Sequence, residues 1–359
     1  MASIKDIARA AGTSVATVSR VLNQPDYRCA DPGMADRIWK CAADLNYVPN
    51  AAAKRLKKGE TEEKTRNYQI QILQTRSDGN YVDPFFSELL HVIRSELHRR
   101  QCILSRVWFD SFFSEDGSGS MLQSNKIIRE MHEAPQEEKD GLIILGKCNP
   151  RVLETLKKEY KNIVSVNRNS TNYAVDEVLC DGKKIAALAT EYLISLGHRE
   201  IAYVGPCRND ARYKGFTYTL ASQDIDLIAD YVQDIHQSEK NGYRVMEYYL
   251  QQEKRPTAFY CANDITAVGM IKCLNYYRNR TYFPSIVSSD NIEESQFTNP
   301  MLTTVNLPKE QMGKFAVYLL LDRISGGHNN IVRMEMEGNL VRRSSCARVE
   351  ESYITEYYI

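Results

Sequence analysis

Ile4 to Asn23 reads IKDIARAAGTSVATVSRVLN, two short helical patterns separated by Gly-Thr-Ser. In the first, Ile4, Ile7, Ala8 and Ala11 recur at helical spacing, and Gly12 closes the helix because glycine enters the left-handed conformation without steric cost. Ser14 is an N-cap for the second, whose Val18, Val21 and Leu22 form an inward face. Thr17, Ser19, Arg20 and Asn23 keep their polar tips outward or along the helix edges. Two helices joined by about three residues have helix-turn-helix geometry, in which the second helix enters a DNA major groove. Taken alone, the stretch also suits a helical hairpin capping a larger domain.

The next residues favour the first reading. Asp31-Pro32 pairs an N-cap with proline at the first helical position, and Met34, Ile38, Cys41, Ala42 and Leu45 then make a third amphipathic helix that ends near Asn46. After a proline break at Pro49 comes AAAKRLKK, Ala51 to Lys58, with four cations and no acid. About two helical turns cannot hold themselves in water, so this segment is expected to settle only against a polyanion.

These residues resemble the LacI/GalR family of bacterial transcriptional regulators, over residues 3 to 345. IKDIARAAGTSVATVSRVLN is similar to that family's helix-turn-helix signature, LNYVPN to the link that follows, and AAAKRLKKG to its hinge helix. The resemblance implies a dimer in which Val15, Ala16 and Arg20 face base edges while Ser14, Thr17, Ser19 and Asn23 mainly fix phosphates. It also places Tyr47, Asn50, Ala53 and Lys54 of the link and hinge among the DNA-binding residues, and makes Leu56 a wedge in the minor groove. The chemistry fits: arginine pairs bidentately with guanine, valine and alanine offer contact to thymine methyls, and an apolar wedge unstacks and bends the duplex.

At 359 residues the chain is too long for one compact core. Its 46 Lys/Arg balance 46 Asp/Glu, but residues 1–60 hold ten cations against six acids, leaving a mildly acidic remainder. A basic head on such a body suits a DNA-binding module carried by a regulatory domain. No apolar run reaches membrane-spanning length, and no signal-peptide core opens the chain. Nine scattered cysteines without a C-x-x-C pair suggest neither zinc nor a disulfide frame, and point to a reducing cytoplasm, which the resemblance implies is bacterial and nucleoid-associated.

Beyond a polar linker, Gly59 to about Arg66, strand and helix patterns alternate. Strands are expected at 68–75, 102–109, 141–146, 162–167, 199–205, 228–233, 257–262 and 285–290, with helices between them, including 84–100, 149–160, 182–196, 209–222, 239–253 and 264–277. Residues 111–124 read as a polar excursion before a helix at 125–133, with Gly117-Ser118-Gly119 as a loop. The rhythm means parallel sheets covered by helices on both faces, in two successive lobes with a ligand cleft between them. The resemblance implies a periplasmic-binding-protein-like architecture of type I. The fold expected is therefore an all-α helix-turn-helix domain (1–48), a hinge and linker (49–66), an α/β effector-binding and dimerisation domain (67–346) and a tail (347–359). Crossovers near 168, 306 and 327 divide the α/β part into an N-lobe, 67–167 and 307–327, and a C-lobe, 168–306 and 328–346.

Ligands of open α/β sheets lie beyond the carboxyl ends of the strands. That position yields Asp83-Pro84-Phe85-Phe86, Asn167-Arg168, Asp181, Arg212, Asn263-Asp264 and Asp290-Asn291. The resemblance places Phe85, Arg212, Asn263 and Asp290 at effector-holding positions, with Arg168 and Asp181 beside them. Planar carboxylate, amide and guanidinium groups can each satisfy two hydroxyls of a polyol, and an aromatic face covers a sugar ring. On the residues alone, Asp264 reads as an N-cap, Phe86 as core and Lys147 as a solvated cation. DPFF with GLIILGK is similar to regulators of β-galactoside metabolism.

No i,i+4 histidine pair, nucleophile elbow, P-loop or spaced carboxylate pair is present, and Gly197-His198 reads as a helix cap and turn, so no catalytic residue, metal or cofactor is expected. The expectation is a dimeric repressor released from a pseudo-palindromic operator by a small molecule, a sugar and within that class a galactoside. Three alternatives stay open: a sugar receptor without DNA function, a corepressor-dependent regulator with a non-sugar effector, and a sugar-processing enzyme.

Overall fold

The computed structural model describes residues 2–23, 27, 29, 31–45, 47, 67–76, 83–114, 118–135, 139–277 and 282–349. Two compact units divide at Arg66 and Asn67. The hinge segment 51–66, with Ala53, Lys54 and Leu56, lies outside the described residues, as do Asn50 and the tail from 350 on.

Three helices form the head: α1, Ile4–Ala11; α2, Val15–Asn23; and α3, Pro32–Asp44. Ser3 and Asp6 start α1 with a reciprocal capping box, in which the Asp6 amide donates to Ser3 Oγ at 3.3 Å and the Ser3 amide to Asp6 Oδ2 at 2.9 Å. Gly12 ends it at φ 66°. Ser14 Oγ accepts the Thr17 amide at 3.0 Å, and Asp31 Oδ1 accepts that of Gly33 at 3.0 Å. Ile7, Ala8, Ala11, Val18, Val21, Ile38 and Ala42 make the core of this unit. Leu45, expected on the inward face of the third helix, is instead 38% exposed, because α3 stops at Asp44 and the turn carries Leu45 off the face.

The body begins with β1 (Gln69–Gln74), α4 (Pro84–Arg99), β2 (Ile103–Phe109), α5 (Ser118–Glu133), β3 (Gly141–Leu145), α6 (Pro150–Glu159), β4 (Ile163–Asn167) and β5 (Asp176–Leu179). It continues through α7 (Gly182–Ser195), β6 (Ile201–Gly205), α8 (Ala211–Ser222), β7 (Val232–Asp234), α9 (Glu239–Leu250), β8 (Ala258–Cys261), α10 (Asp264–Tyr277), β9 (Ser285–Asp290) and β10 (Thr303–Asn306). The chain then adds α11 (Lys309–Ile324), β11 (Arg333–Glu335) and β12 (Asn339–Val341). One sheet has the order β11-β5-β4-β3-β1-β2 and the other β12-β10-β9-β8-β6-β7. All pairings are parallel except β12 with β10, which is antiparallel.

These pairings move two of the expected crossovers. β5 pairs with β4, so the chain leaves the first lobe after Leu179 and not near 168. β11 pairs with β5 and β12 with β10, so the last crossing lies between Glu335 and Asn339 and not near 327. The second crossing follows Asn306, between β10 and α11. Strands of three or four residues between polar turns carry too little periodicity to be read. The 111–124 excursion is also more ordered than expected, since a 3-10 turn spans Ser111–Ser114 and Ser118 and Gly119 already belong to α5.

Gln71 and Gln74, which give β1 its alternating pattern, are both buried. Gln71 Oε1 accepts from Trp108 Nε1 at 3.0 Å and from the Tyr160 hydroxyl at 2.6 Å, so the strand is covered on both faces by helices and a polar atom is satisfied inside. His198, expected in a turn, is fully buried, with ring nitrogens at 3.0 Å from Thr257 Oγ1 and Ser285 Oγ. It ties the start of the second lobe's sheet to the segment at Ala347, whose carbonyl oxygen lies 3.0 Å from Nε2.

Candidate DNA-reading head and ligand cleft

The outward face of α2 carries the residues expected to read DNA. Val15 is 43% exposed although it is apolar, and Ala16 and Arg20 are exposed beside it. Thr17 and Ser19 are half-buried along the edge, and Asn23 is the last residue of the helix. Ser14 spends its hydroxyl on the cap, accepting the Thr17 amide, and lies 2.8 Å from Thr17 Oγ1. The Arg20 guanidinium carbon lies 5.7 Å from the centroid of the Tyr27 ring. Tyr47 packs half-buried against the head core, and its amide donates to the Ala42 carbonyl at 2.9 Å.

Between the lobes, the carboxyl ends of β1, β3 and β4 face those of β6 and β7 across a cavity of about 200 Å³. The first lobe contributes Thr75, Arg76, Phe86, Lys147, Asn167 and Arg168, with Ser111 and Ser114 from the 3-10 turn. The second contributes Arg208, Asp210, Arg212 and His236.

Arg168 and Asp290 form an ion pair that joins the lobes directly, with both side chains buried. The Arg168 guanidinium carbon sits 4.2 Å from the Phe85 ring centroid. The aromatic face expected to carry a ligand is therefore covered by an arginine, and Phe85 is 1% exposed. Its neighbour Phe86, read from the sequence as core, is the aromatic that lines the cavity. Burial raises the Asp290 carboxyl to about 7, with Arg168 opposing and Asp264 and Asp83 adding to the rise. Asp290 and Asn291 also have positive φ, 125° and 51°, so the end of β9 is held in a strained conformation where the lobes meet.

Arg212 is fully engaged within its own lobe. It grips Asp210 through Nε at 3.0 Å and Nη2 at 2.8 Å and donates from Nη1 to the Ala262 carbonyl at 2.7 Å. Burial works against the Asp210 carboxylate, but the charge and hydrogen bonds of Arg212 outweigh it and hold the group below its ordinary range. Asp210 also caps α8. Asn263 Oδ1 accepts from Thr266 Oγ1 at 2.6 Å and from the Thr266 amide at 3.3 Å, the cap that the sequence assigned to Asp264. Asp264 is buried deeper, taking the Thr304 hydroxyl at 2.6 Å and the Ile292 amide at 2.9 Å, and burial lifts it to about 6. Asp181 caps α7 and borders an adjoining hollow with Asn169, Asn209 and Lys214.

The structure thus gathers Arg168, Arg212 and Asp290 at the cleft, sets Phe85 beneath Arg168, and leaves Asp181 and Asn263 in capping positions. Arg76 and Gln237 were not singled out from the sequence. Arg76 Nη2 donates to Gln237 Oε1 across the lobes at 2.6 Å. Arg76 lies two residues beyond the end of β1, so the strand-end rule that selected Asn167 and Arg168 would have found it. Lys147, read as a solvated cation, is half-buried on the cavity wall. Among the described residues, no group of three or more His, Cys, Asp and Glu is placed to hold a metal, and no helix is long and apolar enough to cross a membrane.

A helix-turn-helix head followed by a two-lobed cleft defines a ligand-binding DNA regulator as the class. Residues 3–50 match the family described as bacterial regulatory proteins, lacI family, and residues 190–346 match a periplasmic binding protein-like domain. The chain is 30% identical over 357 residues to the HTH-type transcriptional repressor PurR of Photorhabdus laumondii, covering 96% of this chain and 97% of that one. It is 30% identical to the repressor of the same name from Proteus mirabilis, covering 97% of each. A LacI family regulator from Enterococcus faecium with bound ribose superposes with a TM-score of 0.62 at 25% identity, covering 78% of this chain and 99% of that one. The lac repressor dimer bound to operator and an anti-inducer superposes with a TM-score of 0.64 at 22% identity, covering 96% and 99%, a likeness of fold. This chain belongs to the LacI family and is a transcriptional repressor with a DNA-binding head and a ligand-binding body.

Proposed function

We propose that the repressor binds a pseudo-palindromic operator as a homodimer in the bacterial cytoplasm, acts by binding and not by catalysis, and is released when a sugar occupies the cleft. The observation that carries this reading is that the two arginines joining the lobes, Arg168 to Asp290 and Arg76 to Gln237, line the cavity itself. An occupant touching Arg76 and Arg168 changes the free energy of lobe closure, and closure is the global coordinate available to a two-lobed body. Val15, Ala16 and Arg20 read base edges, the α2 N-terminus with Ser14, Thr17, Ser19 and Asn23 fixes phosphates, and Tyr47, Asn50, Ala53, Lys54 and Leu56 complete the contact along the link and hinge. Phe85, Arg168, Asp181, Arg212, Asn263 and Asp290 shape the effector site, most of them by positioning one another. The ribose-bound relative supports a sugar as the effector class.

Coupling of about 2–3 kcal/mol corresponds to a 30- to 150-fold change in operator affinity, and effector and DNA must weaken each other by the same factor. The test is fluorescence anisotropy of a DNA duplex obtained by binding-site selection, titrated with the repressor in the presence of neutral and phosphorylated sugars. A sugar that lowers affinity by tens-fold, and whose own binding falls by the same factor on DNA, is the expected result. A sugar that tightens DNA binding would reverse the sign and make it a corepressor. A panel without effect, alongside a nucleobase or amino acid that does act, would end the sugar reading.

A further inference from the structure

The connection between α11 and β11 is built around two acids. The Ser325 hydroxyl donates to the Asp322 carbonyl at 3.0 Å, and the Gly327 amide donates to the same oxygen at 2.8 Å. Gly327 passes so near the Asp322 side chain that a Cβ there would stand 2.2 Å from Oδ1. The turn brings His328 between two carboxylates, with Nδ1 2.6 Å from Asp322 Oδ2 and Nε2 2.9 Å from Asp176 Oδ2. Asp176, the first residue of β5, is buried and also receives Arg323 through Nε and Nη2, the latter at 2.6 Å, and the Val332 amide at 2.8 Å. Arg323 Nη2 donates as well to the Asn330 carbonyl at 2.9 Å, so the same two side chains hold the backbone that leads into β11.

A carboxylate oxygen only accepts, so a ring with a carboxylate at each nitrogen satisfies both contacts only when both nitrogens carry protons. A neutral ring would turn a lone pair toward one of the two acids. Burial and the Arg323 charge work against a protonated ring, but its hydrogen bonds to Asp322 and Asp176 outweigh them and raise it above the ordinary 6.5. Burial likewise opposes the charge on Asp176, and the hydrogen bonds from Arg323, the Val332 amide and His328 outweigh it. The other charged groups of the flanking strands are engaged with one another, Glu177 of β5 with Arg333 of β11 at 3.6 Å and Arg333 with Glu335 at 2.9 Å. We infer that His328 is a proton-operated staple, which as imidazolium fixes the connection between α11 and β11 to the start of β5 and without its proton lets that connection go. Asp176 keeps Arg323 in either state, whereas Asp322 is 34% exposed, so water takes over the contact that is lost. β5 and β11 pair with each other and lead into the first and third crossings, so the proton steadies two of the three connections between the lobes.

The experiment is a nuclear magnetic resonance titration of the full-length repressor carrying carbon-13 at histidine Cε1, with the His328 signal assigned by its loss in His328→Gln. A midpoint above the ordinary 6.5 is expected, and a midpoint at or below it would overturn the inference. A group that binds its proton more tightly in the folded state lends stability that is complete below 6.5 and is lost as the pH rises through the raised value. The folding constant of the parent relative to His328→Gln should therefore fall above pH 6.5, by up to about tenfold per pH unit, in paired urea titrations. Asp290 titrates in both proteins and cancels from this ratio. A ratio that stays level or rises between about pH 6.5 and 9 would overturn the staple. Hydrogen exchange read by mass spectrometry, with the variant as the reference for intrinsic rates, should place the loss of protection in residues 325–335. A loss spread evenly over the body, or none in that segment, would overturn it even with the ring titrating as expected. His328→Asn serves as the reference if His328→Gln does not fold.

Discussion

Arg20 is exposed on α2 close to the Tyr27 ring, and among the described residues no carboxylate pairs with it, which suits a guanidinium offered to a base edge. Replacing it with alanine should weaken operator binding by roughly 1–3 kcal/mol and relax selectivity at one base position per half-site, as binding-site selection on the variant would reveal. Uniform weakening across unrelated sequences would show that it contacts phosphate alone. Residues of this kind were readable in advance because the head is built locally: Gly12, Ser14 and Asp31 act on neighbours within six positions, and each does what its side chain and place in the chain predict. The cleft residues were readable as to place but not as to partner. Arg212 and Asp210 are two residues apart and could be paired on paper, whereas Arg168 and Asp290 are 122 apart, and no local pattern announces that one will neutralise the other over the ring of Phe85.

At the scale of elements, α9 and α10 meet backbone to backbone. A Cβ on Gly242 would stand 1.9 Å from the Thr266 carbonyl oxygen, and one on Gly269 would stand 2.0 Å from that of Glu239. Backbone cannot give way as a flexible side chain can, so Gly242→Ala should pry the helices apart at a cost of about 2–3 kcal/mol, against a change within about 0.5 kcal/mol for Lys240→Ala on the exposed face. Urea unfolding followed by circular dichroism would separate the two, and a Gly242→Ala midpoint equal to that of the parent would show that the helices have room. Both helices were legible from their apolar spacing, but their intimacy was not, since a glycine inside a helical pattern is read as a weakness until its neighbour is known. The same contrast separates the eight longer strand patterns from β5, β10, β11 and β12, whose pairing partners are fixed only by the tertiary fold.

For the whole molecule, the joint between lobes carries a pH dependence. An acid whose carboxyl is raised on folding binds its proton more readily in the native state than in the unfolded chain. Its contribution is complete below the ordinary aspartate value of 3.8 and is lost as the pH rises through about 7. Stability of the repressor relative to an Asp290→Asn variant should therefore decline between pH 5 and about 7.5, by at most roughly 1.4 kcal/mol per pH unit, in paired urea titrations. If the difference between parent and variant stayed level over that range, Arg168 would be holding Asp290 ionised throughout, and burial would be the lesser force.

The chain's last elements complete both lobes, which sets an order on the making of this protein. α11 places Met312, Ala316, Val317 and Leu320 in the core, and a Cβ on Gly141 of β3 would meet Leu320 within 2.9 Å. β11 and β12 then finish the two sheets. From Leu179 at the end of β5 to Lys309 at the start of α11 the ribosome must add 130 residues. At about 5–20 residues per second, the apolar face of the first sheet waits on the order of ten seconds for the helix that covers it. The triple crossover between the lobes also obliges the newborn chain to carry an unfinished hydrophobic surface until Ile324 at the end of α11 has been added.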